Sequence, residues 1–94
     1  MFENHKPVLI TTQHRGVFFG FIPNDYDVTQ RTFTNIKGAR MAIYWGTTKG
    51  VMQLAESGPT SNTRVGAPAN IEVLHDITGV FSVTEEAANK WTKA

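Results

Sequence analysis

Residues 7–22 read PVLITTQHRGVFFGFI, and this stretch decides the fold class. Two runs rich in β-branched and aromatic residues, 7–12 and 17–22, flank the short segment 13–16. Such runs are typical of β-strands. The intervening segment ends in Gly16, and glycine readily adopts the positive φ that a tight turn requires. The sequence therefore predicts an antiparallel hairpin over residues 7–22.

Further strand-like runs follow this hairpin along the chain. Turn-forming residues at 23–27 end the hairpin, and Lys37-Gly38 predicts a break between two later strands. The additional predicted strands span residues 31–36, 40–45, 70–75 and 79–83. Short strands with a turn about every ten residues are typical of small antiparallel barrels and rolled sheets.

A short helix is predicted over residues 50–57. Val51, Leu54 and Ala55 follow the i, i+3, i+4 spacing of one helix face. Gly58-Pro59 then supplies a C-terminal glycine and a helix breaker. The following residues, up to 69, carry no periodic pattern and are expected to form a loop.

A second helix is predicted from about residue 83 to residue 93. Ser82 and Glu85 fit the spacing of a capping box, in which a serine hydroxyl and a glutamate satisfy the first backbone N–H groups. The acidic residues fall in its first turn and the lysines in its last, as the helix dipole favours. Its apolar stripe consists of Val83, Ala87 and Trp91.

These elements predict a mainly β (α+β) fold. We expect a small antiparallel barrel or rolled sheet of about five to six strands, with one short helix and a C-terminal helix, in a single domain over residues 1–94. Both faces of strands 17–22 and 40–45 are apolar. Burial against a second copy of the chain would cover the extra face, so a homo-oligomer is expected. The alternative is a closed barrel whose helices cover the remaining aromatic side chains.

The composition excludes several classes of protein. The net charge is +1 and the chain contains no cysteine, which disfavours non-specific nucleic-acid binding and excludes disulfides, thiolate catalysis and zinc ribbons. Residues 1–6 lack an apolar signal region, and no run reaches the length of a membrane span. A soluble intracellular protein is expected.

The titratable residues show no pattern that indicates a catalytic centre. His5, His14 and His75 lack the spacing of metal ligands, and no G-x-S-x-G elbow surrounds any serine. His75-Asp76 could pair a base with an orienting carboxylate, but neighbours on a strand point to opposite faces, so a turn at a strand end is the better interpretation. We expect a non-enzymatic protein without a metal or a cofactor.

The segment 45–50, WGTTKG, precedes the short predicted helix. A helix N-terminus offers unpaired N–H groups to an anion, and Thr47, Thr48 and Lys49 could complete a phosphate site there. The order of a P-loop is absent from this segment. The alternative is an ordinary N-cap by Thr47 or Thr48, with Lys49 in solvent.

The segment 57–66, SGPTSNTRVG, follows the same helix and combines hydroxyl and amide side chains with one arginine. A bidentate arginine contact to phosphate is worth about 1.5–3 kcal/mol. Aromatic rings nearby in sequence could stack on a purine for about 1–3 kcal/mol, although such rings are first of all core material. The candidate ligand-binding residues are Arg64, Thr60, Ser61, Asn62, Thr63, Thr47, Thr48, Lys49, Tyr44, Trp45 and Arg40.

Several short pieces of the chain occur in a recognisable order. They are RGVFFG at 15–20, ARMAIYW at 39–45, Leu54-Ala55, Gly58-Pro59 and Arg64-Val65. As a set they resemble a family of short bacteriophage and prophage proteins of unknown function, over about residues 15–91 of the chain. Met41 stands where many members are expected to carry cysteine. The resemblance supplies no catalytic residues and implies a phage origin.

A phage origin implies a role against host defence. Small phage proteins without enzyme motifs often sequester a nucleotide signal or bind a defence protein, so we expect a nucleotide-sequestering protein in the host cytoplasm. One alternative is an inhibitor of a host defence complex, acting through exposed aromatic residues or the hairpin tip at His14 and Arg15. The other is a structural or accessory virion component.

Overall fold

The predicted hairpin lies at the centre of the sheet. In the computed structural model, which describes residues 3–13, 16–44, 51–59 and 63–93, β1 pairs antiparallel with β2 from His5↔Pro23 to Thr11↔Val17. The elements in chain order are β1 His5–Thr12, β2 Val17–Pro23, β3 Phe33–Tyr44, α1 Val51–Glu56, β4 Arg64–Val65, β5 Ala69–Leu74, β6 Ile77–Ser82 and α2 Glu85–Lys93. The prediction of a mainly antiparallel sheet with a short and a C-terminal helix is confirmed.

The sheet is rolled but not closed. Its strand order is β4-β3-β2-β1-β6, and β5 also pairs with β3. Strands β5 and β6 therefore lie at opposite edges, yet only His75 and Asp76 connect them. So short a connection requires the two edges to approach each other, which rolls the sheet. The backbone pairings seen among the described strands include no ladder between β5 and β6, so the structure is a rolled sheet and not a closed barrel.

Strand β3 corrects the prediction of two separate strands at 31–36 and 40–45. It is continuous over its 12 residues, and the predicted break at Lys37-Gly38 is an irregularity in its pairing with β5, between Ile36 and Ala39. Gly38 takes a φ of 55° there, and its N–H donates to Asn70 Oδ1 at 3.0 Å. Glycine thus bends the strand without ending it, because the displaced backbone group finds a side-chain acceptor.

Strand β4 is a second correction, because the sequence predicted only loop between residues 57 and 69. Arg64 and Val65 pair with Tyr44 and Ala42 of β3. The Gly66 N–H extends this contact by donating to Met41 O at 2.9 Å. Two residues are too few to show the period of a strand, so pairing with β3, and not local pattern, defines this element.

Both faces of the sheet carry a cluster of buried side chains within one chain. The helices cover one face, where Leu9, Phe19 and Phe21 pack with Leu54 and Trp91. The roll encloses the other face; its buried side chains are Val8, Ile10, Ile22, Phe33, Ile36, Ala39 and Ile77. These apolar side chains are therefore buried without a second copy of the chain. Self-association stays a prediction.

The junction between the helices corrects the predicted capping box. Ser82 ends β6, and α2 begins only at Glu85, so the N-cap is Thr84. Thr84 Oγ1 accepts the Ala87 N–H at 3.1 Å and donates to Glu56 O, at the end of α1, at 2.6 Å. Gly58 follows α1 with a φ of 85°, which confirms its predicted place at the C-terminus of that helix. Neither α1 nor α2, the helices of the described part, has the length and apolar character that crossing a membrane requires.

Candidate functional site

Most of the predicted ligand-binding residues lie outside the described part of the chain. These are Trp45, Thr47, Thr48, Lys49, Thr60, Ser61 and Asn62. The structure places the remaining four, Arg40, Tyr44, Thr63 and Arg64, on β3 or at β4. The candidate site is therefore built from the end of the sheet at which these two strands pair.

The register of β3 and β4 brings two of the predicted residues together. Tyr44, the last residue of β3, is the cross-strand partner of Arg64, the first residue of β4. Residues directly opposite in an antiparallel pair have Cβ atoms about 4.5–5.5 Å apart. The Arg64 side chain is exposed, and Thr63 beside it is half-buried. We call Tyr44, Thr63 and Arg64 the β3–β4 end.

The same register brings together two described residues that adjoin the segments singled out in the sequence. Residues 45–50 follow Tyr44 in sequence and residues 60–62 precede Thr63, and both ranges lie outside the described residues. Because Tyr44 and Arg64 are paired, Tyr44 and Thr63 lie at the same end of the sheet. The sequence spacing, with a helix between the segments, did not reveal this proximity.

Arg40 has a different environment from the other candidates. Its side chain is buried, with 8 % of its surface exposed. Its Nε donates to Gly66 O at 2.9 Å and its Nη1 donates to Trp91 O at 3.0 Å. The Trp91 carbonyl lies in the last turn of α2, where backbone acceptors lack helical partners. Arg40 thus fixes α2 and the chain after β4 against the sheet, and we leave it out of the proposed ligand-binding residues.

His75 and Asp76 form the turn that the sequence favoured for them. They connect β5 to β6, and Asp76 has a φ of 59°. His75 Nδ1 lies 3.2 Å from Thr32 Oγ1, so its hydrogen-bond partner is a hydroxyl of another segment. The Asp76 carbonyl accepts the Gln13 N–H at 2.9 Å. The pair therefore holds the corner of the roll in place.

Asp27 stabilises the turn between β2 and β3. Its Oδ1 accepts the Thr29 hydroxyl at 2.5 Å and the Thr29 N–H at 3.0 Å. These two hydrogen bonds, and the one from the hydroxyl most, lower the pKa of the Asp27 carboxyl below its ordinary value of 3.8. Asp27 thus acts as a turn-capping residue. No group of three or more His, Asp or Glu side chains that could hold a metal ion occurs within the described ranges.

A groove lies where the roll remains open, and no sequence pattern predicted it. It has a volume of about 570 Å³ and lies between residues 28–31 and residues 77–80. A neighbouring cavity of about 260 Å³ shares Val28 and Val80 with it and extends to Lys6 and Ser82. We call the two together the seam groove. Its walls come from segments almost 50 residues apart in sequence, so no local motif could have identified it.

Comparison with known proteins identifies a family without an assigned activity. The comparison with curated proteins and the comparison with solved structures each gave no match. A family described as a domain of unknown function (DUF6948) matches residues 5–91, which include every helix and strand described above except the last two residues of α2. The chain therefore belongs to the DUF6948 family.

Proposed function

We propose that this protein binds a phosphorylated, nucleotide-type ligand at the β3–β4 end and does not alter it chemically. The observation that supports the proposal is the pairing of Tyr44 with Arg64. The donor-rich segments 45–50 and 60–62 adjoin this pair in sequence, and Arg64 itself is exposed. A ligand held there would meet residues from both segments at once.

The chemistry of these residues suits a nucleotide. The Arg64 guanidinium is exposed and supplies a planar fork of donors for phosphate oxygens. Thr63, with the hydroxyl, amide and ammonium groups of the two segments, would supply further donors. Tyr44 and Trp45 would offer ring faces to the base, for which stacking contributes about 1–3 kcal/mol per base. Binding of this kind requires a shaped, donor-rich site and no reacting group.

The biological role that we propose is sequestration of a nucleotide-derived signal. The support is the ordered resemblance to short phage proteins, together with membership of a family of unknown function. On this proposal the protein is phage-encoded, acts in the host cytoplasm as a homo-oligomer and lowers the free concentration of a host defence signal. Inhibition of a host defence complex, or a place in the virion, are the alternative roles for a phage protein of this kind.

Calorimetric titration with a panel of cyclic and linear nucleotides tests the binding. We expect at least one nucleotide to bind, and Arg64→Gln to weaken that binding about 10- to 100-fold, as loss of a charge-assisted contact predicts. Arg31→Gln is the matched control, because Arg31 is also exposed but precedes the opposite end of β3. Mass spectrometry should recover the nucleotide unchanged.

Two results would contradict the proposal. The first is the absence of binding across the panel by a protein that unfolds cooperatively on heating. The second is binding that Arg64→Gln and Arg31→Gln weaken equally, since the nucleotide would then be held by net charge and not by the β3–β4 end. Recovery of a cleaved nucleotide would assign an enzymatic activity in place of sequestration.

A further inference from the structure

The seam groove follows an unpaired strand edge. Among the described strands β6 pairs only with β1, so its other edge faces the opening of the roll. At one end of this edge the Ile77 N–H donates to Arg31 O at 2.9 Å. Beyond that contact the groove separates β6 from residues 28–31. An unpaired edge offers N–H and C=O groups that an additional strand can satisfy.

The walls of the groove have a definite chemical pattern. Val28, which is 40 % exposed, and Val80 form an apolar centre shared by both cavities. Arg31 lies toward the Ile77 end of β6, and Lys6 lies toward the Ser82 end. Threonine, serine and glutamine side chains complete the polar surface, and neither cavity has a carboxylate among its lining residues. The nearby Asp27 carboxylate accepts two hydrogen bonds from Thr29.

This pattern selects an extended peptide with acidic ends. A peptide laid along β6 would satisfy backbone groups of the edge, as in β-strand addition. Its central apolar side chain would contact Val28 and Val80. The 6 residues of β6 correspond to about 17–20 Å of extended chain, so carboxylates some six residues apart would reach Arg31 and Lys6.

Two other occupants fit less well. A second copy of the chain, pairing β6 with β6, would bring one cation-lined groove against another, and like charges oppose that contact. A nucleotide would find cations, but no aromatic residue lines either cavity to receive the base. We propose that the seam groove binds an extended acidic peptide segment of another protein, which adds as a strand to β6.

Titration of ¹⁵N-labelled protein followed by NMR tests this proposal. The probe is the capped heptapeptide Ac-Glu-Thr-Val-Thr-Val-Thr-Glu-NH₂, which places two acidic and two apolar side chains on one face. We expect amide shifts confined to β6 and to the residues that line the seam groove, together 6–8, 28–31 and 77–83. A peptide with lysine in place of both glutamates should bind at least about 5-fold more weakly, and one with proline at the centre should lose binding, because proline lacks the N–H.

Protein variants supply the second arm. Arg31→Gln and Lys6→Gln should each weaken binding about 2- to 5-fold, as expected for exposed ion pairs, and the double variant should weaken it more. Arg64→Gln should bind the peptide unchanged, because Arg64 lies at the β3–β4 end. Arg31→Gln is thus the control for nucleotide binding, and Arg64→Gln is the control for peptide binding. The two measurements are independent, so either proposal can fail alone.

Four results would overturn the peptide proposal. They are equal binding of the acidic and lysine peptides, binding of the proline peptide, shifts centred on residues 63–65, and no shift at millimolar peptide. ATP and inorganic phosphate are run as separate titrations. If they shift the same residues as the peptide does, the groove is a site for small anions and the proposal of a peptide is wrong.

Discussion

At the scale of single residues, Arg40 shows how a charged side chain becomes part of the core. Two of its donors bond to the carbonyls of Gly66 and Trp91, which belong to different segments. In the described part of the chain no buried side-chain polar atom lacks a hydrogen-bond partner. A buried cation whose donors are all bonded stabilises one arrangement of the segments around it. Removal of the guanidinium would leave the two carbonyls without their hydrogen-bond donor.

Arg40→Met should therefore lower the free energy of unfolding by about 2–4 kcal/mol, since methionine fills the space but donates no hydrogen bond. Urea denaturation followed by circular dichroism measures the change. Arg64→Met is the control and should change stability by less than about 0.5 kcal/mol, because the Arg64 side chain is exposed. Equal effects of the two substitutions would contradict the structural role assigned to Arg40.

Gly20 is required by close packing between neighbouring strands. A Cβ atom at this position of β2 would overlap Ile36 Cγ2 and approach Ala39 Cα at 3.6 Å. Gly20→Ala should destabilise the protein by about 1–3 kcal/mol through overpacking. Gly79→Ala is the matched control within a strand, because its closest contact is the Thr11 hydroxyl at 3.0 Å, which can rotate away. Thermal unfolding of both variants distinguishes overpacking from a general effect of alanine in strands.

Asp27 should make stability depend on pH in the acidic range. Hydrogen bonds from Thr29 depress the folded-state pKa below 3.8, so their stabilising contribution is present above that value and is lost as the pH falls through the folded-state pKa. Asp27→Asn should lower the thermal midpoint at neutral pH, and the difference from the parent should shrink in acid. Asp25→Asn, in the same turn, leaves the contacts with Thr29 intact. A difference that grows on acidification would refute this assignment.

At the scale of elements, Thr84 couples the two helices. Its hydroxyl caps α2 through Ala87 and reaches Glu56 O, while its N–H donates to Ala55 O at 3.1 Å. Thr84 thus accepts a hydrogen bond from the first turn of α2 and donates two hydrogen bonds to carbonyls at the end of α1. Such an arrangement holds the helices end to end over Leu9, Phe19 and Phe21.

Thr84→Ala should cost about 1–2 kcal/mol of stability, since the cap and the contact with Glu56 are lost together. Thr84→Ser keeps the hydroxyl and should recover most of this loss, whereas Thr84→Val keeps the shape and should not. Chemical denaturation of the three variants gives the comparison. If valine matches serine, packing and not hydrogen bonding explains the position.

The elements also show why sequence patterns predicted some features and missed others. Runs of β-branched and aromatic residues identified β1 and β2, because each run is long and a turn-forming segment separates the two. The same reasoning divided β3 at Gly38, because a bulge and a turn require the same glycine. The same reasoning missed β4, which has only two residues. It also placed the N-cap of α2 two residues early, because Ser82 and Thr84 both carry a hydroxyl and β6 extends through Ser82.

The candidate site was predictable in residue type but not in arrangement. Arg64 and the hydroxyl-rich segments could be selected from composition alone. The pairing of Arg64 with Tyr44 depends on a two-residue strand beside an irregular register, which no local pattern encodes. Arg40 carried one usable signal, since it lies between Ala39 and Ala42 in an apolar strand, where a charge is expected to be paired.

At the scale of the whole molecule, Trp91 joins the parts of the larger buried cluster. Its ring stacks on Phe19 with centroids 5.2 Å apart, and its Nε1 donates to Leu54 O at 3.0 Å. Its backbone carbonyl accepts the hydrogen bond from Arg40. One residue near the end of α2 thus contacts the sheet and the other helix at once, so helices and sheet are expected to unfold together.

Self-association is the prediction that belongs to this scale. Both faces of the sheet carry buried side chains within one chain, so assembly would use the apolar side chains of the sheet that stay exposed, such as Met41 and Val73, which are 42 % and 49 % exposed. We expect light scattering during size-exclusion chromatography to give a multiple of the 10.4 kDa chain mass. Met41→Lys and Val73→Lys should shift the mass toward the monomer. A mass of one chain at all concentrations would refute self-association.

The position of β1 inside the sheet has a consequence for synthesis on the ribosome. β1 leaves the exit tunnel first but lies between β2 and β6, and its pairing with β6 joins residues about 70 positions apart. A nascent chain can form the β1–β2 hairpin early, but the sheet is complete only after the residues of β6, up to Ser82, have been synthesised. Such long-range pairing slows folding and leaves an apolar hairpin exposed during translation. Production of this protein should therefore be sensitive to chaperone supply and to growth temperature.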